Sequence, residues 1–94
     1  MAKFLLLSSL GPEGFARLDE TPERIHEVNA DVESMGVKIL HQYAVLGPYD
    51  FVTIIEAPDE ATMMRVTTKL AARGTMKTTT LSILDVDGYI EALR

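Results

Sequence analysis

Cysteine and tryptophan are both absent from this chain of 94 residues. Without cysteine there is no disulfide framework, no thiolate nucleophile and no thiolate-bound metal. Such a composition suits the reducing cytoplasm, which is where we expect the protein to be located. Glycine and proline are also scarce, at 6 and 4 residues, which excludes collagen-like and low-complexity disordered chains.

Basic residues are outnumbered, with nine lysines and arginines against fourteen aspartates and glutamates and a formal net charge of −5. A nucleic-acid-binding protein needs basic side chains to neutralise phosphates, and an anionic membrane attracts the same side chains. The basic residues here are spread from Lys3 to Arg94 without forming a cluster. We therefore expect neither nucleic acid nor a membrane as a partner.

No apolar run approaches the roughly 20 residues that a transmembrane helix needs. Phe4–Leu7 resembles the start of a signal peptide, but the run ends at Ser8–Ser9 and no small-residue cleavage site follows. We interpret this run as a buried strand. Apolar residues make up 47% of the chain, which is enough for a modest core.

Hydrophobic periodicity and turn residues predict four strands and two main helices. The predicted strands are residues 3–9, 37–46, 51–56 and 75–84. The predicted first helix runs from an N-cap at Thr21 to Gly36, and the second from an N-cap at Asp59 to Gly74. Residues 10–20 are interpreted as a connector and residues 89–93 as a short terminal helix.

The predicted order β-α-β-β-α-β is the pattern of a ferredoxin-like α+β sandwich. Right-handed crossovers place both helices on one face of a four-stranded antiparallel sheet, with the first and third strands in its centre. Because Phe4–Leu7 and Phe51–Ile55 are apolar on both sides, the other face of the sheet needs a cover as well. A second copy of the chain is the simplest cover, so we expect a homo-oligomer, with a dimer favoured.

Two polar-tipped side chains on the second predicted strand are candidates for a ligand site. Strict alternation puts His41 and Tyr43 on the same strand face as apolar neighbours. If that face meets the helices, His41 and Tyr43 line a small-molecule pocket, and Arg24 at its rim holds an anion. In the alternative interpretation, His41 is a hydrogen-bonded core residue and Arg24 forms a surface ion pair.

Tyr49 and Asp50 follow Gly47 and Pro48 in the predicted hairpin turn. As turn residues, Asp50 would accept backbone hydrogen bonds and Tyr49 would pack over the corner. As site residues, both would form the polar rim of a ligand cleft. No phosphate-binding loop, dinucleotide fingerprint or nucleophile elbow is present, and Asp85–Gly88 is too short for a calcium loop. The motifs therefore predict no catalytic residue, no cofactor and no metal site.

Several short segments together match one family. They are Leu46–Phe51, Glu56–Asp59, Pro22–Arg24, Met35–Gly36 and Gly74–Leu81. In these segments the sequence resembles the GYD family of small bacterial and archaeal proteins, named for a Gly-x-Tyr-Asp segment at this hairpin. Lys77 stands where the family commonly has arginine, and Pro48 where glutamate is frequent. The resemblance implies a fold of dimeric α/β-barrel type, with residues 1–94 as a single GYD-like ferredoxin-fold domain, and it implies no particular chemistry.

Three functions are compatible with these observations. The first is an oligomeric module that binds a small apolar or anionic molecule, or serves as an accessory protein, without catalysis. The second is a cofactor-independent monooxygenase or isomerase of dimeric α/β-barrel type, with His41 and Tyr43 as acid and base. The third is a metabolite-sensing oligomer like the PII and CutA proteins. The short turn at Gly47–Asp50 disfavours the third, because those proteins carry a long mobile loop there.

Overall fold

The structure is a computed structural model that describes all residues, 1–94. Four strands and four helices follow one another along the chain. In order, they are β1 (Ala2–Leu10), α1 (Pro12–Glu20), α2 (Arg24–Glu33), β2 (Lys38–Ala44), β3 (Phe51–Ala57), α3 (Glu60–Ala72), β4 (Met76–Ile83) and α4 (Val86–Ala92). None of the helices is long and apolar enough to cross a membrane.

The four strands form one antiparallel sheet in the order β2-β3-β1-β4. This order confirms the predicted ferredoxin-like α+β fold and the central position of the first and third strands. Side chains from the sheet, α2 and α3 form the hydrophobic core on one side of the sheet. The buried members are Phe4, Leu6, Val32, Val37, Ile55, Ala57, Met63, Val66 and Leu70.

The ends of α2 and α3 follow the predicted pattern in most respects. Asp59 caps α3 by accepting a hydrogen bond from the Thr62 backbone N–H at 2.7 Å. Hydrogen bonds from the Thr62 side chain and backbone lower the pKa of Asp59 below its usual 3.8. Gly36 and Gly74 follow α2 and α3 with φ values of 95° and 74°, which disfavour any residue with a Cβ.

The predicted N-cap at Thr21 is wrong, because α2 begins at Arg24 and no side chain caps it. The Thr21 side chain makes no capping hydrogen bond; the Thr21 backbone carbonyl instead accepts from the Arg24 N–H at 3.0 Å.

Residues 10–20 are not the expected connector, because most of them form α1. Pro12 begins the helix, Glu13 lies in its positive first turn and Arg17 in its negative last turn. The helix has only nine residues, so its apolar residues are too few to establish a helical period in the sequence. Its contact with the rest of the fold depends on Gly14, where a Cβ would lie 2.7 Å from the Thr75 carbonyl oxygen.

The two central strands present clearly different faces to the two sides of the sheet. Even-numbered residues of β1 and odd-numbered residues of β3 are buried against the helices. The alternate side chains lie on the face without helices, which we call the open face. Its apolar centre consists of Leu5, Leu7, Val52, Ile54 and Leu81.

A β-bulge in β2 reverses the alternation that the sequence predicts for this strand. Ile39 pairs with Ile55 and His41 pairs with Ile54, so Leu40 is an extra residue without a partner on β3. Before the bulge, Ile39 faces the helices; after it, Gln42 does. The strand face of His41 therefore does not meet the helices, and the condition for a pocket lined by His41 is not met.

A substitution at Gly14 tests how closely α1 approaches the α3–β4 connection. We expect Gly14→Ala to lower the free energy of unfolding by about 1–3 kcal/mol, because the new methyl group meets a backbone carbonyl that cannot rotate away. Gly11→Ala is the matched control, since its Cβ would lie 3.9 Å from the same oxygen. Urea unfolding of both variants measures the difference. Equal stability of the two variants would show that α1 is free to shift.

Candidate functional site

A cavity of about 380 Å³ lies between the sheet and the helices α1 and α2. Eleven of its twenty lining residues are hydrophobic, so most of the interior is apolar. Its remaining lining residues, apart from a glycine, are Ser8, Asn29, Gln42, Thr53 and Thr75, together with three arginines, Arg17, Arg24 and Arg73. An apolar cavity with a few convergent polar groups is the usual form of a small-molecule site.

A side-chain amide pair bridges α2 and the sheet inside this cavity. Asn29 Nδ2 donates to Gln42 Oε1 at 2.7 Å, and Gln42 Nε2 donates back to Asn29 Oδ1 at 3.2 Å. The same Gln42 nitrogen donates to the Thr53 hydroxyl oxygen at 3.2 Å. Helix α2 and strands β2 and β3 are thereby joined by one polar chain, in which each residue holds the next in place.

Two hydroxyl groups of the cavity wall have hydrogen-bonding capacity to spare. Thr53 accepts from Gln42 but its own hydroxyl hydrogen is not used, and the Ser8 hydroxyl makes no side-chain hydrogen bond and is accessible from the cavity. Both residues are buried among apolar neighbours, at 6% exposure for Ser8 and 3% for Thr53. A polar atom of a bound molecule would find a donor at either position.

The cavity is lined by positive charge alone. The arginines 17, 24 and 73 each contribute a guanidinium group, and no aspartate or glutamate lines the cavity. Each guanidinium pairs with a carboxylate outside the lining. The pairs are Arg17 with Glu13 at 3.4 Å, Arg24 with Glu27 at 3.2 Å and Arg73 with Asp31 at 3.0 Å. In a chain of net charge −5 this arrangement marks the cavity as a place for an anion or a neutral molecule.

Arg24 is the one predicted site residue that lines the cavity. Its predicted surface ion pair with a neighbouring carboxylate is also present. His41 and Tyr43 are exposed on the open face, on the opposite side of the sheet. The bulge at Leu40 is the reason, because one extra residue turns every later side chain of β2 to the other face.

Tyr49 and Asp50 lie in the β2–β3 connection, outside the cavity lining. Asp50 Oδ2 accepts a hydrogen bond from the Leu10 N–H at 2.9 Å, and the Asp50 N–H donates to the Ser8 carbonyl at 2.8 Å. These bonds tie the hairpin connection to the end of β1, so Asp50 accepts from a neighbouring strand and not from a backbone donor within the turn. Tyr49 is half-buried nearby, and its part in ligand binding stays a prediction.

The sequence reasoning missed most of the polar residues in the cavity. Asn29 lies four residues after Ile25 within the apolar stripe of α2, and an amide in such a stripe is a signal of a polar contact in the interior. Thr53 and Ser8 stand at buried positions of otherwise apolar strands, which is a similar signal. Gln42 carried no such signal, because strict alternation places it on the wrong face.

Substitutions at Asp50 test its structural role. We expect Asp50→Ala to lower the free energy of unfolding by about 1–3 kcal/mol, because the half-buried Leu10 N–H loses its acceptor. Asp50→Asn should lower it by about 1 kcal/mol, since the amide oxygen still accepts a hydrogen bond. Thermal or urea unfolding of the two variants measures the order. If Asp50→Ala is as stable as the wild type, the Asp50 carboxylate does not stabilise the hairpin connection.

Comparison with known proteins finds a relative that matches the chain along its full length. The chain is 47% identical over 95 residues to a protein of Thermus thermophilus described as a glutamine synthetase and cystathionine beta-lyase binding protein; the match covers 100% of both chains. That relative is a binding protein, and its description names no catalytic activity.

Two crystal structures resemble the chain at lower identity. One is TTHA0845 from Thermus thermophilus, at 21% identity and a TM-score of 0.58, with 89% of this chain and 94% of that chain covered. The other is the leucine response regulatory protein of Mycobacterium tuberculosis, at 15% identity and a TM-score of 0.56, with 89% and 51% covered. Both likenesses support the ferredoxin-like fold. The GYD domain family matches residues 4–93, and the chain therefore belongs to this family.

Proposed function

We propose that this protein is a cytoplasmic, homo-oligomeric binding module. It holds a small molecule in the cavity between sheet and helices and docks on metabolic enzymes without catalysing a reaction itself. The observation that carries the small-molecule part is the composition of the cavity: an apolar interior, a fixed amide chain and three arginines without a lining carboxylate. Docking on enzymes is supported by the relative of 47% identity that is described as a binding protein of two enzymes.

The ionisable groups of the cavity favour binding over acid–base catalysis. Its only ionisable side chains are the three arginines, and a guanidinium stays protonated at physiological pH. His41 and Tyr43, which the monooxygenase or isomerase hypothesis needs as acid and base, lie on the other side of the sheet. A molecule in the cavity therefore meets hydrogen-bond donors and positive charge, and meets no group that exchanges a proton with it near neutral pH.

The open face supports homo-oligomer formation. Its apolar centre is only half-buried within one subunit, and α4 adds further exposed apolar side chains, with Val86 at 71%, Tyr89 at 57% and Leu93 at 69% exposure. Helix α4 has no buried residue and no extensive contact with another element of its own subunit. Lys3 pairs with Asp85 at 3.3 Å, which tethers the start of α4 at the side of the open face.

A two-fold arrangement would use both apolar surfaces at once. In an isologous dimer, α4 of each subunit packs beside the open face of the other, so both surfaces leave water together. Charge complementarity supports the same arrangement. The open face carries three lysines, Lys3, Lys38 and Lys77, against one acidic residue, Glu56, and α4 carries Asp87 and Glu91. We propose this dimer as the functional form of the protein.

Charge substitutions on the two apolar surfaces test the dimer. We expect light scattering to give the mass of two chains for the wild type, and a monomer for Leu81→Lys on the open face and Tyr89→Lys on α4. An unpaired charge buried in an interface costs several kcal/mol. Both side chains are exposed within one subunit, so the folded monomer tolerates the change. His26→Lys on the exposed side of α2 is the control. A monomeric wild type at micromolar concentration would contradict the proposed interface.

Binding to enzymes is tested with purified proteins. We expect the chain to co-elute in size-exclusion chromatography with glutamine synthetase or cystathionine beta-lyase from its own source organism, and not with an unrelated enzyme of similar size. The turnover of each enzyme is then measured with and without the chain. If the chain forms a complex with neither enzyme at micromolar concentrations, the proposed docking on enzymes is wrong for this protein.

A further inference from the structure

Two of the cavity arginines stand at its mouth. Arg17 and Arg24 line both the interior cavity and a shallow polar depression on the surface next to it, whose other lining residues are Glu20, Thr21 and Glu27. A residue that borders both spaces lies where the cavity opens to solvent. Arg17 comes from the last turn of α1 and Arg24 from the start of α2, so the short α1–α2 connection brings the two guanidinium groups to one opening.

Most hydrogen-bond donors of these two guanidinium groups are free. Each guanidinium has five N–H donors. Arg17 uses Nη2 for Glu13 at 3.4 Å, and Arg24 uses Nη1 for Glu27 at 3.2 Å, both within a helix and both on the surface. Exposed pairs of this kind are weak, because solvent screens them and the side chains lose conformational freedom. The remaining donors are available for a second anion, and a planar fork of N–H groups suits a carboxylate.

We propose that the cavity binds a monocarboxylate with a compact apolar body, with the carboxylate on Arg17 and Arg24 and the body in the apolar interior. This inference rests on the proposed small-molecule binding and specifies the ligand class. At about 380 Å³ the cavity is at the lower end of the range of ligand pockets, so the body is no larger than a branched aliphatic chain or one aromatic ring.

The lining residues also determine which further polar groups a ligand can carry. The α-ammonium group of an amino acid would lie next to the bound carboxylate, beside the two guanidinium groups that hold it, so amino acids bind less well than the corresponding simple acids. A second carboxylate would lose its hydration among aliphatic side chains such as Leu6, Ile55 and Leu70. The remaining guanidinium of the lining, Arg73, is already paired with Asp31 at 3.0 Å. One carbonyl or hydroxyl group on the body is accommodated, because the Ser8 and Thr53 hydroxyls can donate to it.

The carboxylates of Glu13 and Glu27 compete with the ligand for the same two arginines. They pair with the guanidinium groups at the mouth, at 3.4 Å for Glu13 and 3.2 Å for Glu27. When a ligand carboxylate enters, each arginine divides its donors between the ligand and the glutamate of its own helix. Removal of a glutamate charge therefore strengthens ligand binding, whereas removal of an arginine weakens it. These opposite signs distinguish direct charge recognition from a general effect on folding.

Calorimetric titration with matched probes tests the proposal. The probes are phenylacetate, its neutral analogue phenylacetamide, the amino acid phenylalanine, and the aliphatic acid 4-methylpentanoate with its amide. We expect at least one of the two acids to bind, and its amide and phenylalanine to bind about tenfold more weakly or not at all, since a charge-assisted pair is worth about a factor of ten or more. Inorganic phosphate, which lacks an apolar body, should not compete.

Four variants of the full-length protein complete the design. Arg24→Gln and Arg17→Gln should each weaken binding of the acid about tenfold. Glu27→Gln should strengthen it about twofold, in line with the small energy of an exposed helical pair. Lys69→Gln removes a positive charge from α3 outside the cavity and should change nothing. Thermal unfolding without ligand shows whether each variant folds like the wild type.

The outcomes separate this inference from the proposed function. If an amide binds as well as its acid, or if Arg24→Gln and Arg17→Gln bind like the wild type, the carboxylate inference is wrong while small-molecule binding stands. If no acid and no amide binds at millimolar concentrations, both the inference and the proposed small-molecule function are wrong.

Discussion

The extra residue Leu40 in β2 is the constraint on which the rest of the site depends. In a strand without a bulge, Ile39 and Gln42 would lie on opposite faces of the sheet, because side chains alternate at every residue. The bulge lets both face the helices. Ile39 packs against the core, and Gln42 reaches Asn29 and Thr53. A cavity with a polar centre thus follows from a single unpaired residue at the edge of the sheet.

The polar chain inside the cavity explains how a small protein keeps an open space in its interior. Buried amides are tolerated only when they are hydrogen-bonded, and Asn29 and Gln42 satisfy each other across the gap between α2 and the sheet. These hydrogen-bonded side chains act as a spacer between α2 and the sheet, because hydrophobic contact alone would draw the helix closer. Helix α1 covers the space from the side, and Gly14 permits its close approach to Thr75. The charge pattern then divides the protein into an acidic exterior and a cavity with three arginines.

One sheet supplies two surfaces with different chemistry. Alternate side chains of β1 and β3 face the cavity and the core on one side, and the open face on the other. The cavity face carries polar groups at Ser8 and Thr53, whereas the open face is aliphatic at Leu7 and Val52. The proposed ligand and the proposed second chain would therefore use different side chains of the same strands.

The ferredoxin-like element order, the central strands, the cap at Asp59 and the helix ends at Gly36 and Gly74 could all be predicted from the residues alone. The helix features depend on local periodicity and turn chemistry, and the strand order follows from the connectivity rules of antiparallel sheets. The helix at Pro12–Glu20 was not predictable in this way, because it is too short to be recognised without the surface it packs on. The faces of β2 that carry Gln42 and His41 were not predictable either, because a bulge depends on pairing with β3 and leaves no mark in the residues of β2 alone. The meeting of Arg17 and Arg24 at one opening likewise arises from the packing of two helices.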